Sequence, residues 1–76
     1  MTPAQAFGKI IKQARTEMSV SQEQLALVSG LDRTFVSKLE RGVRQPSLET
    51  ILKISAVLDV PAHDLVKRTT DLLTSE

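Results

Sequence analysis

Residues 21–41 read SQEQLALVSGLDRTFVSKLER, and the order of polar, apolar and glycine positions in this stretch decides the fold. Ser21 followed three places on by Gln24 has the form of a capping box, in which each side chain satisfies a backbone N–H that the first turn of a helix leaves open. Leu25, Ala26 and Val28 are expected to point inward from that helix, and Gly30 supplies the left-handed residue at which helices often end. Asp32 caps again, and Val36 and Leu39, three apart, give the next helix its inner edge before Gly42 stops it. Two short helices joined by a tight turn make a helix-turn-helix.

Upstream, Thr2 is an N-cap and Pro3 takes the first helical position, where a missing N–H costs nothing. The helix is expected to run to about Glu17, with Phe7, Ile10, Ile11, Ala14 and Met18 on one buried stripe and Lys9, Lys12 and Gln13 opposite. Downstream, Val43 to Pro46 is a loop, Ser47 caps a fourth helix from about Leu48 to Leu58, and Pro61 stands near the start of a fifth that carries Leu65 and Val66 towards Leu73. No stretch alternates with period two, and no repeat or low-complexity run interrupts the chain. The expectation is one all-α domain over residues 1–76, a compact five-helix bundle.

Composition narrows the classes. A chain of 76 residues buries only about 60% of the surface its unfolded form exposes, so one shared core is the ceiling. With no cysteine, apolar packing, alone or with a second subunit, must hold the fold. The apolar run from Ile51 to Val60 is broken by Lys53, Ser55 and Asp59, far short of the roughly 18 residues of a membrane span. The N-terminus lacks a signal peptide's apolar block, which places the expected location in the cytoplasm. The formal net charge is only +1, but its distribution is uneven. Arg33, Lys38, Arg41 and Arg44 face only Glu40 in the middle of the chain, while Asp59, Asp64, Asp71 and Glu76 gather towards its end.

Turning each residue by about 100° locates the outer face of the third helix. With Val36 and Leu39 inward, Thr34, Ser37, Lys38 and Arg41 face out, Arg33 and Phe35 lie on the flanks, and Glu40 turns towards the core. That surface is built to meet an anion. A helix-turn-helix places such a second helix in the major groove of DNA.

The stretch SQEQLALVSGLDRTFVSKLERGVRQPSLETILKISAVLDV, residues 21–60, resembles the Cro/repressor type of helix-turn-helix in the xenobiotic-response-element group of regulators, and with the first helix the likeness covers about Phe7 to Val66. The run LDRTFVSKLERGVRQPSL is similar to the controller proteins of restriction-modification systems. The resemblance implies a lambda-repressor-like domain that binds double-stranded DNA and regulates transcription. It implies that Gln22, at the start of the second helix, holds a phosphate with the help of the helix dipole. Arg33, Thr34, Ser37 and Lys38 match the base-reading positions, where arginine or lysine favours guanine and Thr34 and Phe35 can pack on thymine methyls. Arg41, Arg44 and Gln45, at and after the helix end, are expected to hold the backbone or probe the minor groove. Arg15 and Glu40 match a buried ion pair tying the first helix to the reading helix. Phe35 departs from the small polar residue of the phage repressors and is nearer the aromatic of the controllers.

Other chemistries find little support. His63 has Asp59 and Asp64 nearby, but one imidazole without a thiolate or second histidine makes a poor metal or proton-relay site, and a surface position accounts for it. No nucleophile stands at a recognisable spacing from a base, and the three glycines, Gly8, Gly30 and Gly42, are too far apart to cradle a phosphate. The expectation is no enzyme, no cofactor, no metal and no small-molecule substrate.

The fourth helix is apolar over too wide an arc. Leu48, Ile51, Leu52, Ile54, Val57 and Leu58 span roughly 220°, against the 100° or so that one core needs. Leu52 or Val57, with Leu65, Val66, Leu72 and Leu73, is therefore expected to form a two-fold dimer interface, with residues 47–76 as the dimerisation region. Such a dimer reads two half-sites about 34 Å apart, so the operator should be palindromic. A controller, a phage-type repressor, an antitoxin and a helical protein-interaction module without DNA binding remain alternatives, and Thr69 to Glu76 could dock a partner.

Overall fold

In the computed structural model the described residues are 1–75, and they form five α-helices and no strand: α1 Pro3–Glu17, α2 Gln22–Ser29, α3 Arg33–Glu40, α4 Leu48–Leu58 and α5 Ala62–Thr74. Glu76, counted above with the acidic end and the C-terminal tail, lies outside the described residues.

Each of the first four helices starts at the cap read from the sequence. Thr2 Oγ accepts from the Gln5 N–H at 3.2 Å while Gln5 Oε1 accepts from the Thr2 N–H at 2.9 Å, a second capping box like that of Ser21 and Gln24. Asp32 Oδ1 accepts from the Thr34 N–H at 3.2 Å, and Ser47 Oγ accepts from the Thr50 N–H at 3.1 Å. A cap of this kind is worth about 1 kcal/mol. α5 has no side-chain cap and begins after Pro61, whose carbonyl accepts from the Leu65 N–H.

Every helix contributes a fully buried side chain to one core: Ile11 from α1, Leu25 from α2, Val36 and Leu39 from α3, Ile54 and Leu58 from α4, and Leu65 from α5. Burial of an aliphatic side chain of this size stabilises the fold by roughly 1.5–3 kcal/mol. The radius of gyration is 11.1 Å, close to the value of about 11 Å expected for a close-packed chain of this length.

Two inward assignments and one interface assignment are corrected. Met18 is exposed, because α1 ends at Glu17 and Ser19 adopts a left-handed φ of 59°; the chain turns there, and Val20 packs against the core instead. Val28 is also exposed: the buried edge of α2 is formed by Leu25 and Ala26 with Ser29 half-buried, and Val28 lies about 110° from the middle of that edge. Leu65 is buried completely within the single chain and has no surface to offer a second subunit.

Candidate nucleic-acid interface

α2 and α3 are separated by only Gly30, Leu31 and Asp32, with Gly30 at φ 73° in the left-handed conformation that lets the chain reverse within three residues. Leu31 folds back, its N–H donating to the Ala26 carbonyl at 2.9 Å and its side chain packing on the core. Val36 and Leu39 then pin the inner side of α3, so the rest of its surface is fixed in direction.

On that surface Arg33 and Thr34 are exposed, and Ser37 and Lys38 are half-exposed beside them. Arg41, the C-cap, is exposed, as are Arg44 and Gln45 in the following loop. Phe35 is half-buried and packed against the core, so only part of its ring faces outward. The structure thus brings Arg33, Thr34, Ser37 and Lys38 onto one helix, with Arg41 as its C-cap and Arg44 and Gln45 just beyond.

The cations of this region find no carboxylate partner among the described residues. Among the described residues the salt bridges are Arg15 with Glu40, Lys53 with Glu49, Lys67 with Asp71, and Arg68 with Asp64. Those of α4 and α5 are exposed i,i+4 pairs, and the Asp71 hydrogen bond raises the Lys67 ammonium above its ordinary value. Arg33, Lys38, Arg41 and Arg44 remain uncompensated, and a helix face bearing unpaired cations attracts a phosphate backbone. Asp64, read as a neighbour of His63, is engaged by Arg68 Nη2 at 3.1 Å.

Behind this face stands the ion pair. Arg15 Nε donates to Glu40 Oε2 at 2.6 Å and Arg15 Nη2 donates to Glu40 Oε1 at 3.0 Å, a bidentate fork across two helices. Arg15 Nη1 donates to the Val20 carbonyl at 2.8 Å. The hydrogen bond to Glu40 holds the guanidinium above its ordinary value, with burial opposing it. Gln22 lies at the first position of α2, and its Nε2 donates to Glu40 Oε1 at 3.0 Å.

Two positioning features escaped the sequence reading. The Gln22–Glu40 bond joins residues 18 apart, which no local pattern reveals. Gly8, in the middle of α1, is the other: a Cβ there would stand 2.3 Å from the Leu39 carbonyl oxygen and 2.7 Å from that of Glu40. Glycine lets α1 touch the backbone at the end of α3. The available signal was a glycine inside an otherwise amphipathic helix, where it costs about 1 kcal/mol relative to alanine and needs a packing reason.

Apolar surface is exposed elsewhere. Leu48 and Leu52 on α4 and Val66 on α5 are exposed, and Val57 and Leu73 are half-buried. An open crevice of ≈ 190 Å³ lies between α1, α4 and α5, lined chiefly by Pro3, Phe7, Pro46, Ile51, Val66 and Thr69. No helix of the described residues is long and apolar enough to cross a membrane.

Residues 11–65 match the sequence profile of a family described as helix-turn-helix. The control protein C.BamHI of Bacillus amyloliquefaciens is 46% identical over 65 residues, covering 84% of this chain and 80% of that protein. The crystal structure of the restriction-modification controller protein C.AhdI from Aeromonas hydrophila superposes with a TM-score of 0.80 at 44% identity, covering 82% of this chain and 94% of that one. A crystal structure of the biofilm regulator SinR in complex with DNA gives a TM-score of 0.76 at 39% identity, over 79% of this chain and 97% of that one. Against full-length SinR of Bacillus subtilis (strain 168) the chain spans only 55% of the relative. The chain belongs to the helix-turn-helix family of DNA-binding transcriptional regulators of the xenobiotic-response-element type, related to restriction-modification controllers.

Proposed function

We propose that the protein binds double-stranded DNA as a homodimer at a palindromic operator and regulates transcription from it, as a restriction-modification controller. The observation that carries this reading is the row of unpaired cations on and after α3, held rigid from behind by Val36 and Leu39. Arg33, Thr34, Ser37 and Lys38 read base edges, with the exposed part of Phe35 against a thymine methyl. Gln22, Arg41, Arg44 and Gln45 hold the backbone. The relatives named as control and regulatory proteins support regulation rather than catalysis, and the DNA-bound SinR structure supports duplex DNA as the partner.

Dimerisation rests on the exposed apolar edge. Leu52 and Val57 lie about 140° apart around α4, and Val57 packs against the core while Leu52 is exposed. Leu52, Val66 and Leu73, with Leu48 added, are therefore the residues offered to a two-fold interface, and Leu72, packed on the core, contributes less.

Selection of bound sequences from a random duplex pool, followed by salt titration of the wild type and Arg33→Ala on the winner, tests the reading. A two-fold symmetric site is expected, with affinity and base preference both reduced by the substitution. Failure to enrich any sequence, with weak binding at every salt concentration, would reject it.

A further inference from the structure

We propose that Glu40, although buried and turned away from the reading face, is a positioning residue for DNA backbone binding, because it sets the orientation of the Gln22 carboxamide against a phosphate. The inference rests on the DNA-binding reading above. Glu40 is only 8% exposed, and three donors converge on its carboxylate: Arg15 Nε on one oxygen, and Arg15 Nη2 with Gln22 Nε2 on the other. The Arg15 guanidinium is fixed in turn by the Val20 carbonyl, two residues before α2 begins. No buried side-chain polar atom among the described residues lacks a partner, so the network is closed on the inside.

The chemistry of the pair selects one end of the amide. A carboxylate accepts and never donates, so only the –NH2 end of Gln22 can face it; the flipped amide would set two acceptors against each other. One Nε2 hydrogen is spent on Glu40 and the other is uncommitted. Beside it lie the backbone N–H groups of Gln22 and Glu23, which have no carbonyl within the helix, while the capping box occupies those of Ser21 and Gln24. The result is a group of donors at the start of α2 whose one flexible member is held by a residue on α3. Arg15 neutralises Glu40, so this carboxylate holds the clamp at little repulsive cost to a nearby phosphate.

A neutral amide displaces no counterion, which gives the contact a signature distinct from that of an arginine or lysine. It also carries no base information. The experiment measures wild type, Gln22→Ala, Glu40→Gln and the double variant on the selected duplex and on a mismatched one, across a salt series. Glu40→Gln removes the charge that dictates the amide orientation. Each single variant should bind roughly tenfold more weakly, the value for one hydrogen bond to a charged group. Salt slope and the ratio between the two duplexes should stay unchanged, and the double variant should be no weaker than Gln22→Ala.

Additive losses in the double variant would overturn the proposal. So would a fall in base preference with Glu40→Gln, which is what a merely structural loosening of α3 produces. If Glu40→Gln fails to fold by circular dichroism, side-chain amide NMR of the wild type decides. The Gln22 amide should be more ordered than that of exposed Gln13 in the free protein, and should shift when duplex is added. A Gln22 amide as mobile as that of Gln13 would overturn the assignment. A wild type that enriches no duplex would instead reject the DNA reading itself, a different and recognisable failure.

Discussion

Replacing Gly8 by alanine should destabilise the fold although alanine is the better helix former. The added Cβ would lie 2.3 Å from the Leu39 carbonyl oxygen and 2.7 Å from that of Glu40. A carbon and a carbonyl oxygen need about 3.3 Å, so α1 and the end of α3 must part by about 1 Å. Both contacts are to backbone, so no side-chain rotation relieves them. Overpacking typically costs 1–3 kcal/mol, and a backbone clash belongs at the upper end, about 3 kcal/mol. Helix propensity returns about 1 kcal/mol, leaving a net loss of about 2 kcal/mol. Against a total of roughly 4–11 kcal/mol for a domain of this size, that is a large fraction. It lowers the melting temperature by roughly 8–16 °C. Thermal and urea unfolding should be followed by circular dichroism at one fixed protein concentration, since the proposed dimerisation would couple to stability. Gly30→Ala is the control: nothing lies within 4 Å of its Cβ, and it bears only the left-handed backbone penalty, about 1–2 kcal/mol. A Gly8→Ala melting temperature equal to or above that of wild type would refute the contact between α1 and α3.

Arg15→Ala should cost about 3–5 kcal/mol, because it leaves a buried carboxylate without its fork, and urea midpoints would show it. The Glu40 hydrogen bond holds the Arg15 guanidinium above its ordinary value in the folded state, so its contribution is complete at any pH below that ordinary value and is lost only as pH rises through the higher folded one; a wild-type urea series should show no loss from this group between neutral pH and about pH 11. Ser19 holds a left-handed φ of 59°, and Ser19→Gly should raise the melting temperature by about 2–4 °C, worth roughly 0.5 kcal/mol after glycine's own entropy cost. Leu52→Glu should leave helicity intact yet convert a dimer to monomer in sedimentation and weaken operator binding; unchanged sedimentation would exclude this edge of α4 from the interface.

The features legible in the sequence are those that act locally. Caps work within three residues, so Thr2, Ser21, Asp32 and Ser47 announced four helix starts, and the three-apart pair Val36 and Leu39 set the direction of the reading face. The errors arise where burial depends on what another helix covers. Val28 is apolar but sits beyond the edge of α2 that the core reaches, and Leu65 is apolar and wholly consumed by it. Met18 followed the α1 period but lies past the helix end at Glu17; what the period could not report was the left-handed Ser19 that turns the chain there and hands the inward place to Val20. Arg15 and Glu40 lie 25 residues apart, and only the family resemblance brought them together. Neither resemblance nor period reached the third member, Gln22.

The two kinds of charge on and just after α3 follow opposite rules, and the proposed DNA-reading face uses both. A cation that contacts a phosphate must be free beforehand, because any carboxylate on it would have to be displaced at a cost comparable to the gain. Arg33, Lys38, Arg41 and Arg44 meet that condition. A helix of only eight residues, Arg33–Glu40, cannot hold its own direction through backbone bonding. Its orientation must come from contacts on the far side, and those contacts must be specific in angle. Apolar packing through Val36 and Leu39 fixes depth but tolerates sliding; the backbone contact at Gly8, at the last turn of α3, removes that freedom, and the Arg15–Glu40 fork beside it keeps the one buried carboxylate neutralised. The only acid on the reading helix is thus the one placed where it can anchor rather than repel.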